Sequence, residues 1–150
     1  MTGRILLLSG LPGSGKTTLA RALCRDGRAV HLRVDTIEQA ICSSVLGVQS
    51  AEDAGYRTAA AQAVELAAAG HDVVCDAVNA DAEGRAIWPV PDLIVQVDVP
   101  PELRAARIEA WGTGEYPHVW EDWPQPVLKV DGAGNPAEMT QLVWSALASR

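Results

Sequence analysis

Short apolar runs alternate along the chain with longer segments in which apolar residues recur every three or four positions. The runs at 4–9, 29–34, 72–76, 93–97 and 127–130 are rich in valine, leucine and isoleucine and are bounded by glycine, proline or aspartate. This pattern predicts five strands. Because apolar residues are nearly continuous along each run, we expect these strands to be buried on both faces.

The segments between the runs have helical periodicity. Capping signals support two boundaries: Asn135, Pro136 and Glu138 stand in the order of a helix N-terminus, and Gly70 follows a long alanine-rich segment. Regular alternation of strand and helix predicts an α/β fold, a parallel sheet with helices on both faces. We predict helices over residues 15–25, 36–46, 51–69, 81–87, 101–110 and 136–149.

One segment, 111–126, interrupts this alternation with two glycines, three prolines and three tryptophans. We interpret it as an irregular, lid-like excursion over the edge of the sheet. Its tryptophans, Trp111, Trp120 and Trp123, would either cover a substrate or base, or pack beneath the loop. With 150 residues, the chain has the usual size of a single domain, which we predict over 1–150.

Composition and charge exclude several classes of protein. The chain is 48% hydrophobic and 21% charged, and no apolar run approaches the roughly 18 residues of a membrane span. We see no secretory signal, and we therefore expect a cytoplasmic protein without a membrane partner. The net charge of −7 and the lack of a lysine- or arginine-rich block argue against nucleic acid as a partner. Three cysteines without C-x-x-C spacing suit reduced thiols rather than a zinc site.

A phosphate-binding loop follows the first strand. The segment 10–17 matches G-x-x-x-x-G-K-S/T and has the strand before it and the helix after it that the motif requires. Its glycines let several N–H groups converge on phosphate oxygens at a helix N-terminus. Lys16 is expected to bridge the β- and γ-phosphates of ATP, and Thr17 to bind Mg²⁺. The predicted nucleotide-binding residues are Gly10, Pro12, Gly13, Ser14, Gly15, Lys16, Thr17 and Thr18.

The motif alone leaves the activity open, because kinases, GTPases, motors and transporter ATPases share it. A GTPase would require a guanine-reading N-K-x-D, which the sequence lacks. The residues that distinguish the remaining classes therefore lie outside the loop.

Two aspartates, Asp35 and Asp76, follow predicted strands at the sheet edge where ligands bind. We expect Asp76 to hold Mg²⁺ together with Thr17, directly or through water; the alternative is a turn residue that ends the strand. Asp35 has the chemistry of a base that accepts a proton from an attacking hydroxyl. The pattern D-x-x-E beginning at Asp35 fits a helix N-cap equally well.

Several basic residues each have two interpretations. Arg107 would reach the γ-phosphate or stack on the base as the irregular segment closes, or it would lie on a solvated helix surface. Arg57 and Arg85 would recognise a carboxylate or phosphate of the substrate, or be ordinary surface residues. The isolated histidines lack metal-ligand spacing and are expected on the surface or in loops; they are His31, His71 and His118.

Four segments, "SGLPGSGKTTLARAL", "RVDTIEQAI", "GHDVVCDAVN" and "VDVPPELRAARI", together resemble small P-loop kinases of the nucleoside-monophosphate-kinase-like group, particularly chloramphenicol phosphotransferase and adenylylsulfate kinase-like enzymes. The resemblance implies a three-layer P-loop NTPase fold with a five-stranded parallel sheet in the order 2-3-1-4-5. It also implies Asp35 as the base, and Asp76 with Asn79 beside the metal and the acceptor. The family commonly carries R-x-x-x-R in its lid; here Arg107 fills the first position and Trp111 the second, so Arg104 is an alternative lid arginine.

These observations predict an ATP- and Mg²⁺-dependent phosphotransferase that acts on a hydroxyl of a small metabolite or antibiotic. Lys16, Asp35 and Arg107 are its candidate catalytic residues. Two alternatives stay open: a regulatory protein that binds ATP and hydrolyses it slowly, and a 5′-hydroxyl nucleic-acid kinase, which the acidic balance disfavours. The candidate substrate-binding residues are Asp35, Arg57, Asn79 and Arg85.

Overall fold

The computed structural model describes residues 1–112 and 118–150. Within these residues the strands are β1 (Ile5–Ser9), β2 (Ala29–Arg33), β3 (Asp72–Asp76), β4 (Leu93–Asp98) and β5 (Leu128–Asp131). The helices are α1 (Lys16–Cys24), α2 (Val34–Cys42), α3 (Ala54–Ala68), α4 (Ala82–Arg85), α5 (Pro101–Trp111) and α6 (Pro136–Ala148). Within residues 1–112 and 118–150, none of the helices meets the length and hydrophobicity that a membrane span requires.

All five strands form one parallel sheet in the order β2-β3-β1-β4-β5. The predicted P-loop NTPase-like fold, its sheet order and its all-parallel pairing are therefore confirmed. In the register between β2 and β3, Arg33 lies opposite Asp76, and between β1 and β3, Leu8 lies opposite the same aspartate. The carboxyl end of β3 thus lies between the end of β2 and the end of β1.

Alternate residues of the central strand β1 enter two different apolar cores, because successive side chains of a strand point to opposite faces. Leu6 and Leu8 pack with residues of α1 and α6. Leu7 packs on the other face with α3, whose Ala59 and Ala63 are fully buried. Helices therefore cover both faces, as predicted, and the small side chains of α3 allow its backbone to approach the sheet closely.

Helix α2 differs most from its predicted bounds. It begins two residues earlier than expected, directly after the extended N-cap residue Arg33, and it ends at Cys42 instead of residue 46. Ser44 Oγ donates a 2.6 Å hydrogen bond to the carbonyl of Ile41, so the side chain satisfies a carbonyl that further helix would have used. A non-helical connection then leads to α3.

The lid-like segment predicted over 111–126 falls partly on residues outside the described ranges. Trp111 ends α5, and residues 118–126 contain no helix or strand. This described part lies against the segment that follows β3, through contacts given below.

Candidate active site

The phosphate-binding loop leaves the buried end of β1 and turns into α1 with two glycines at positive φ, Gly13 at 84° and Gly15 at 94°. Gly15 is also the N-cap of α1 and supplies no side-chain hydrogen bond. A β-carbon at Gly15 would come within 3.1 Å of the Gly132 carbonyl oxygen, and one at Gly10 within 2.7 Å of the Val97 carbonyl oxygen. The backbone conformation therefore requires glycine at positions 13 and 15, and the lack of space for a β-carbon requires it at position 10.

The loop borders a cavity with a volume of about 700 Å³, called the main cavity below. Gly10 and Ser14 are buried and do not line this cavity. These two loop residues pack against each other: a β-carbon at Gly10 would lie only 2.5 Å from Ser14 Oγ. Eight residues predicted from the sequence do line the cavity: Pro12, Gly13, Gly15, Lys16, Thr17, Thr18, Asp35 and Arg107.

Asp76 lies beneath this cavity at the end of β3, and its side chain is only 1% exposed. Thr17 Oγ1 donates a 2.8 Å hydrogen bond to Asp76 Oδ2, and His31 Nε2 lies 2.9 Å from the same oxygen. Burial raises the pKa of the Asp76 carboxyl, but the hydrogen bond of His31, the charge of Lys16 and the hydrogen bond of Thr17 together hold that pKa below its ordinary value. Because the ionised carboxylate only accepts hydrogen bonds, His31 Nε2 is the donor.

His31 was expected on the surface or in a loop, although it falls within the predicted strand 29–34; it is not in a loop and is only partly exposed. The residue lies in the middle of β2 with a side chain 19% exposed. No spacing in the sequence relates it to Asp76, 45 residues away; the two meet because β2 and β3 are neighbours and both side chains face α1.

The donor set beside the loop suits Mg²⁺. The Thr17 hydroxyl and the Asp76 carboxylate are hard oxygen ligands, and they already lie within hydrogen-bond distance of each other. Among the described residues no group of three or more histidine, cysteine, aspartate or glutamate side chains could hold a metal ion alone. Magnesium commonly binds through one or two protein oxygens plus water and phosphate, so the residues present fit this ion.

Asp35 lies in the first turn of α2, lines the cavity and has a side chain that is half exposed. Its Oδ2 is 3.6 Å from the Arg33 guanidinium. The N-cap of α2 is Arg33, so Asp35 does not occupy the N-cap position that one interpretation of the sequence assigned to it. Because Asp35 and Lys16 both line the cavity, the two residues border the same space.

The two candidate lid arginines lie differently relative to the cavity. The Arg107 guanidinium lines the cavity and donates to the carbonyl of Gly13 at 2.9 Å and to that of Gly132 at 3.4 Å. Arg104 does not line the cavity, and its Cγ lies 3.0 Å from the β-carbon position of Gly13. Arg107 thus has its charge beside the loop, whereas Arg104 supports the loop from behind with its aliphatic stem.

The remaining substrate-side candidates do not line this cavity. Asn79 is fully buried at a φ of 53°, where its Nδ2 donates to the Ser9 hydroxyl at 3.2 Å and its Oδ1 accepts from Trp88 Nε1 at 2.8 Å. Arg57 is two-thirds exposed on α3 and pairs with Asp53 at 2.6 Å. In this structure Asn79 therefore organises the chain after β3, and Arg57 forms a surface ion pair.

Arg85 holds the described part of the irregular segment against the chain after β3. Its guanidinium donates to the carbonyls of Asn79 at 2.8 Å, Ala80 at 3.1 Å and Asp122 at 3.2 Å, and also to that of Glu121. It stacks on Trp123 at 3.9 Å from the ring centroid and on Trp120 at 5.2 Å. Trp120 and Trp123 therefore pack around an arginine, while Trp111 lines the main cavity.

Sequence reasoning also missed Arg21 and Arg33, which line the cavity. Both have sequence signals that point there. Arg21 lies one helical turn beyond Thr17 and Thr18, and Arg33 ends the strand that precedes Asp35.

Known proteins share the fold of this chain at low sequence identity. No curated protein matches the chain in sequence. Among solved structures, the Mycobacterium tuberculosis APS kinase CysC in complex with AMPPNP and APS has a TM-score of 0.76 at 20% identity, covering 99% of both chains. A sugar kinase from Janibacter sp. has a TM-score of 0.70 at 18% identity over 97% of this chain and 96% of its own.

A gluconokinase from Sinorhizobium meliloti 1021 has a TM-score of 0.63 at 19% identity, covering 99% of this chain and 93% of its own. At these identities the likeness establishes the P-loop NTPase-like fold alone. The sequence itself matches the profile of the AAA domain family over residues 5–113, which is more than half of the chain. The protein therefore belongs to this AAA domain family of P-loop proteins.

Proposed function

We propose that the protein is an ATP- and Mg²⁺-dependent phosphotransferase that moves the γ-phosphoryl group of ATP to a hydroxyl of a small molecule. The observation that carries the proposal is a single cavity of about 700 Å³ lined by both the loop lysine, Lys16, and an accessible carboxylate, Asp35. An accessible carboxylate in the same cavity as the phosphate-binding lysine supports transfer to a hydroxyl, because it can accept the proton that the hydroxyl loses.

Each residue has a defined task in this proposal. The loop N–H groups and Lys16 bind the phosphates and stabilise the charge on the transferring group. Arg107 adds a second cation while its hydrogen bonds to Gly13 and Gly132 keep the guanidinium beside the loop. Thr17 and Asp76 would hold Mg²⁺, which neutralises phosphate charge when bound.

Asp35 would accept the acceptor's hydroxyl proton as the hydroxyl oxygen bonds to the γ-phosphorus and the bond to the bridging oxygen breaks, leaving ADP. Its partial exposure suits this role, because the group must meet a substrate that enters from solvent. Positioning and electrostatics account for most of such a reaction, so one base and a few cations suffice.

The proposal is tested by measuring ADP release over a panel of small hydroxylated compounds, for the wild type, Asp35→Asn and Asp26→Asn. Asp26 is an exposed aspartate outside the cavity and serves as the matched control. We expect at least one compound to accelerate ADP release. Asp35→Asn should lose this acceleration by about a hundredfold or more while ATP affinity stays within about twofold.

Other outcomes identify the alternatives. Steady ADP release that no hydroxyl compound accelerates would indicate a regulatory protein with slow ATPase activity. Acceleration only by an oligonucleotide with a free 5′-hydroxyl would indicate a nucleic-acid kinase. Transfer at the wild-type rate by Asp35→Asn would exclude Asp35 as the base.

A further inference from the structure

Two guanidinium groups at the Asp35 end of the main cavity are not used by the phosphate-binding loop. Arg21 comes from α1 and Arg33 from the end of β2. Both residues line the main cavity, and both also line a second cavity of about 310 Å³, to which Thr36 and Gln62 contribute polar side chains. The two cavities therefore adjoin at this pair of arginines.

The guanidinium of Arg33 has few partners among the described residues. Its Nε is buried and has no hydrogen-bond partner among the described residues. Its contact with Asp35 is long, at 3.6 Å, and it is the only ion pair that the described residues offer this guanidinium. A guanidinium has five N–H donors, and a buried donor without a partner is costly unless a ligand or water satisfies it.

The charges around the main cavity also favour an anionic ligand. The chain as a whole has a net charge of −7, yet the described lining of the main cavity holds four lysine and arginine side chains and one carboxylate, that of Asp35. Lys16 belongs to the phosphate-binding loop, and Arg107 is hydrogen-bonded to that loop. This leaves Arg21 and Arg33 as a local positive excess that attracts anions into an otherwise acidic protein.

We propose that the phosphoryl acceptor is a small hydroxyl compound that carries an anionic oxygen group, and that Arg33, assisted by Arg21, binds this group. The inference rests on the proposed function and adds the class of substrate. Arg33 Nη2 lies 3.6 Å from Asp35 Oδ2, so an acceptor anchored on the guanidinium would have a neighbouring hydroxyl within reach of the base. Carboxylate, sulfate and phosphate share this chemistry, because each offers two oxygens to the guanidinium fork.

Binding is tested without catalysis, on protein saturated with AMPPNP and Mg²⁺ so that the phosphate-binding loop is occupied. Inorganic sulfate is titrated by calorimetry at constant ionic strength into the wild type, Arg33→Gln and Arg25→Gln. Arg25 is an exposed arginine at the end of α1 and does not line either cavity. We expect saturable binding to the wild type and Arg25→Gln, and binding at least about tenfold weaker to Arg33→Gln. Equal binding by all three proteins, or none, would overturn the proposal.

Matched acceptors then identify the anionic group. Glycerol, glycerate and glycerol phosphate form one series of related polyols, and glucose, gluconate and glucose 6-phosphate form another. Within each series the members are neutral, oxidised to a carboxylate at one carbon, or esterified with phosphate at one carbon. We expect ADP release to favour a charged member of a series, and Arg33→Gln to raise the KM for that acceptor about tenfold while the KM for ATP stays within about twofold. A neutral compound used as well as its charged partners would refute the anionic subsite and leave the phosphotransferase intact. Failure of the protein to bind AMPPNP would instead contradict the proposed function itself.

Discussion

The imidazole of His31 lies 2.9 Å from Oδ2 of Asp76, a carboxylate whose side chain is only 1% exposed. The same oxygen accepts a hydrogen bond from the Thr17 hydroxyl. His31 therefore fixes the orientation of the carboxylate that is proposed to help hold Mg²⁺, without reaching the main cavity itself. We regard it as a positioning residue, in the way that outer-shell partners orient metal ligands.

Replacing His31 with leucine removes this hydrogen bond and leaves the buried carboxylate less restrained. We expect the Mg²⁺ concentration for half-maximal binding of AMPPNP to rise about tenfold. His31→Gln retains an N–H donor and should recover most of this loss, while His71→Gln, an exposed control, should behave as the wild type. An unchanged Mg²⁺ dependence in His31→Leu would show that the contact has no role in metal binding.

Lys16 is 8% exposed and lines the cavity. Lys16→Ala removes the cation that the phosphate tail needs in the transition state, so we expect the single-turnover rate to fall about a hundredfold or more. Circular dichroism checks that the variant is folded. A folded Lys16→Ala protein with a rate near that of the wild type would contradict the assigned role of the loop.

Arg107 and Arg104 provide a matched pair on one helix. Arg107→Gln removes the charge beside Gly13 and Gly132, and we expect a loss of about tenfold or more in kcat/KM for ATP. Arg104→Gln keeps the Cβ and Cγ atoms that pack on Gly13 and should lose less than about twofold. Steady-state kinetics distinguish the two, and the opposite order of effects would make Arg104 the functional arginine.

Arg85 is expected to matter for stability. A lysine at this position has a single ammonium group that cannot reach four carbonyls at once or stack flat on Trp123. We predict that Arg85→Lys lowers the free energy of unfolding by about 1–3 kcal/mol, measured by urea denaturation with tryptophan fluorescence. Arg57→Lys, at a two-thirds exposed ion pair, should change it by less than about 0.5 kcal/mol. Equal effects would mean that the Arg85 contacts add no stability.

Acid stability depends in part on Asp72, at the start of β3. Burial raises the pKa of this carboxyl. The hydrogen bonds and charge of Arg4, which forms a 2.7 Å ion pair with it, lower the pKa by more, so the pKa lies below its ordinary value. A carboxyl of lower pKa in the folded state stabilises the protein above its unfolded-state pKa. This contribution is lost as the pH falls from about 4 through the folded-state value.

Asp72→Asn should therefore lower the free energy of unfolding near pH 7 by about 1–2 kcal/mol and make it less dependent on pH in the acid range. Urea denaturation between pH 7 and pH 3 measures both effects. Asp26→Asn, at an exposed position, is the control. A pH dependence identical to that of the wild type would exclude Asp72 as a contributor.

The strands and helices and the phosphate-binding loop were accessible from the sequence because each depends on local patterns. All five predicted strands are present with bounds within a residue of those predicted. The glycines of the loop were expected to let its N–H groups converge on phosphate, and in the structure Gly13 and Gly15 have positive φ. The start of α2 was less accessible, because Asp35 resembles a cap in sequence whereas the backbone makes Arg33 the N-cap.

The sequence by itself determined an alternating α/β chain with a phosphate-binding loop at the end of its first strand, since periodicity and a contiguous motif are properties of neighbouring residues. Only the tertiary structure decided that His31 meets Asp76, that Arg107 rather than Arg104 faces the cavity, and that Arg85 binds the irregular segment. These contacts join residues that are distant in the chain. They depend on strand register and on the direction in which each helix presents its side chains, which a local pattern does not specify.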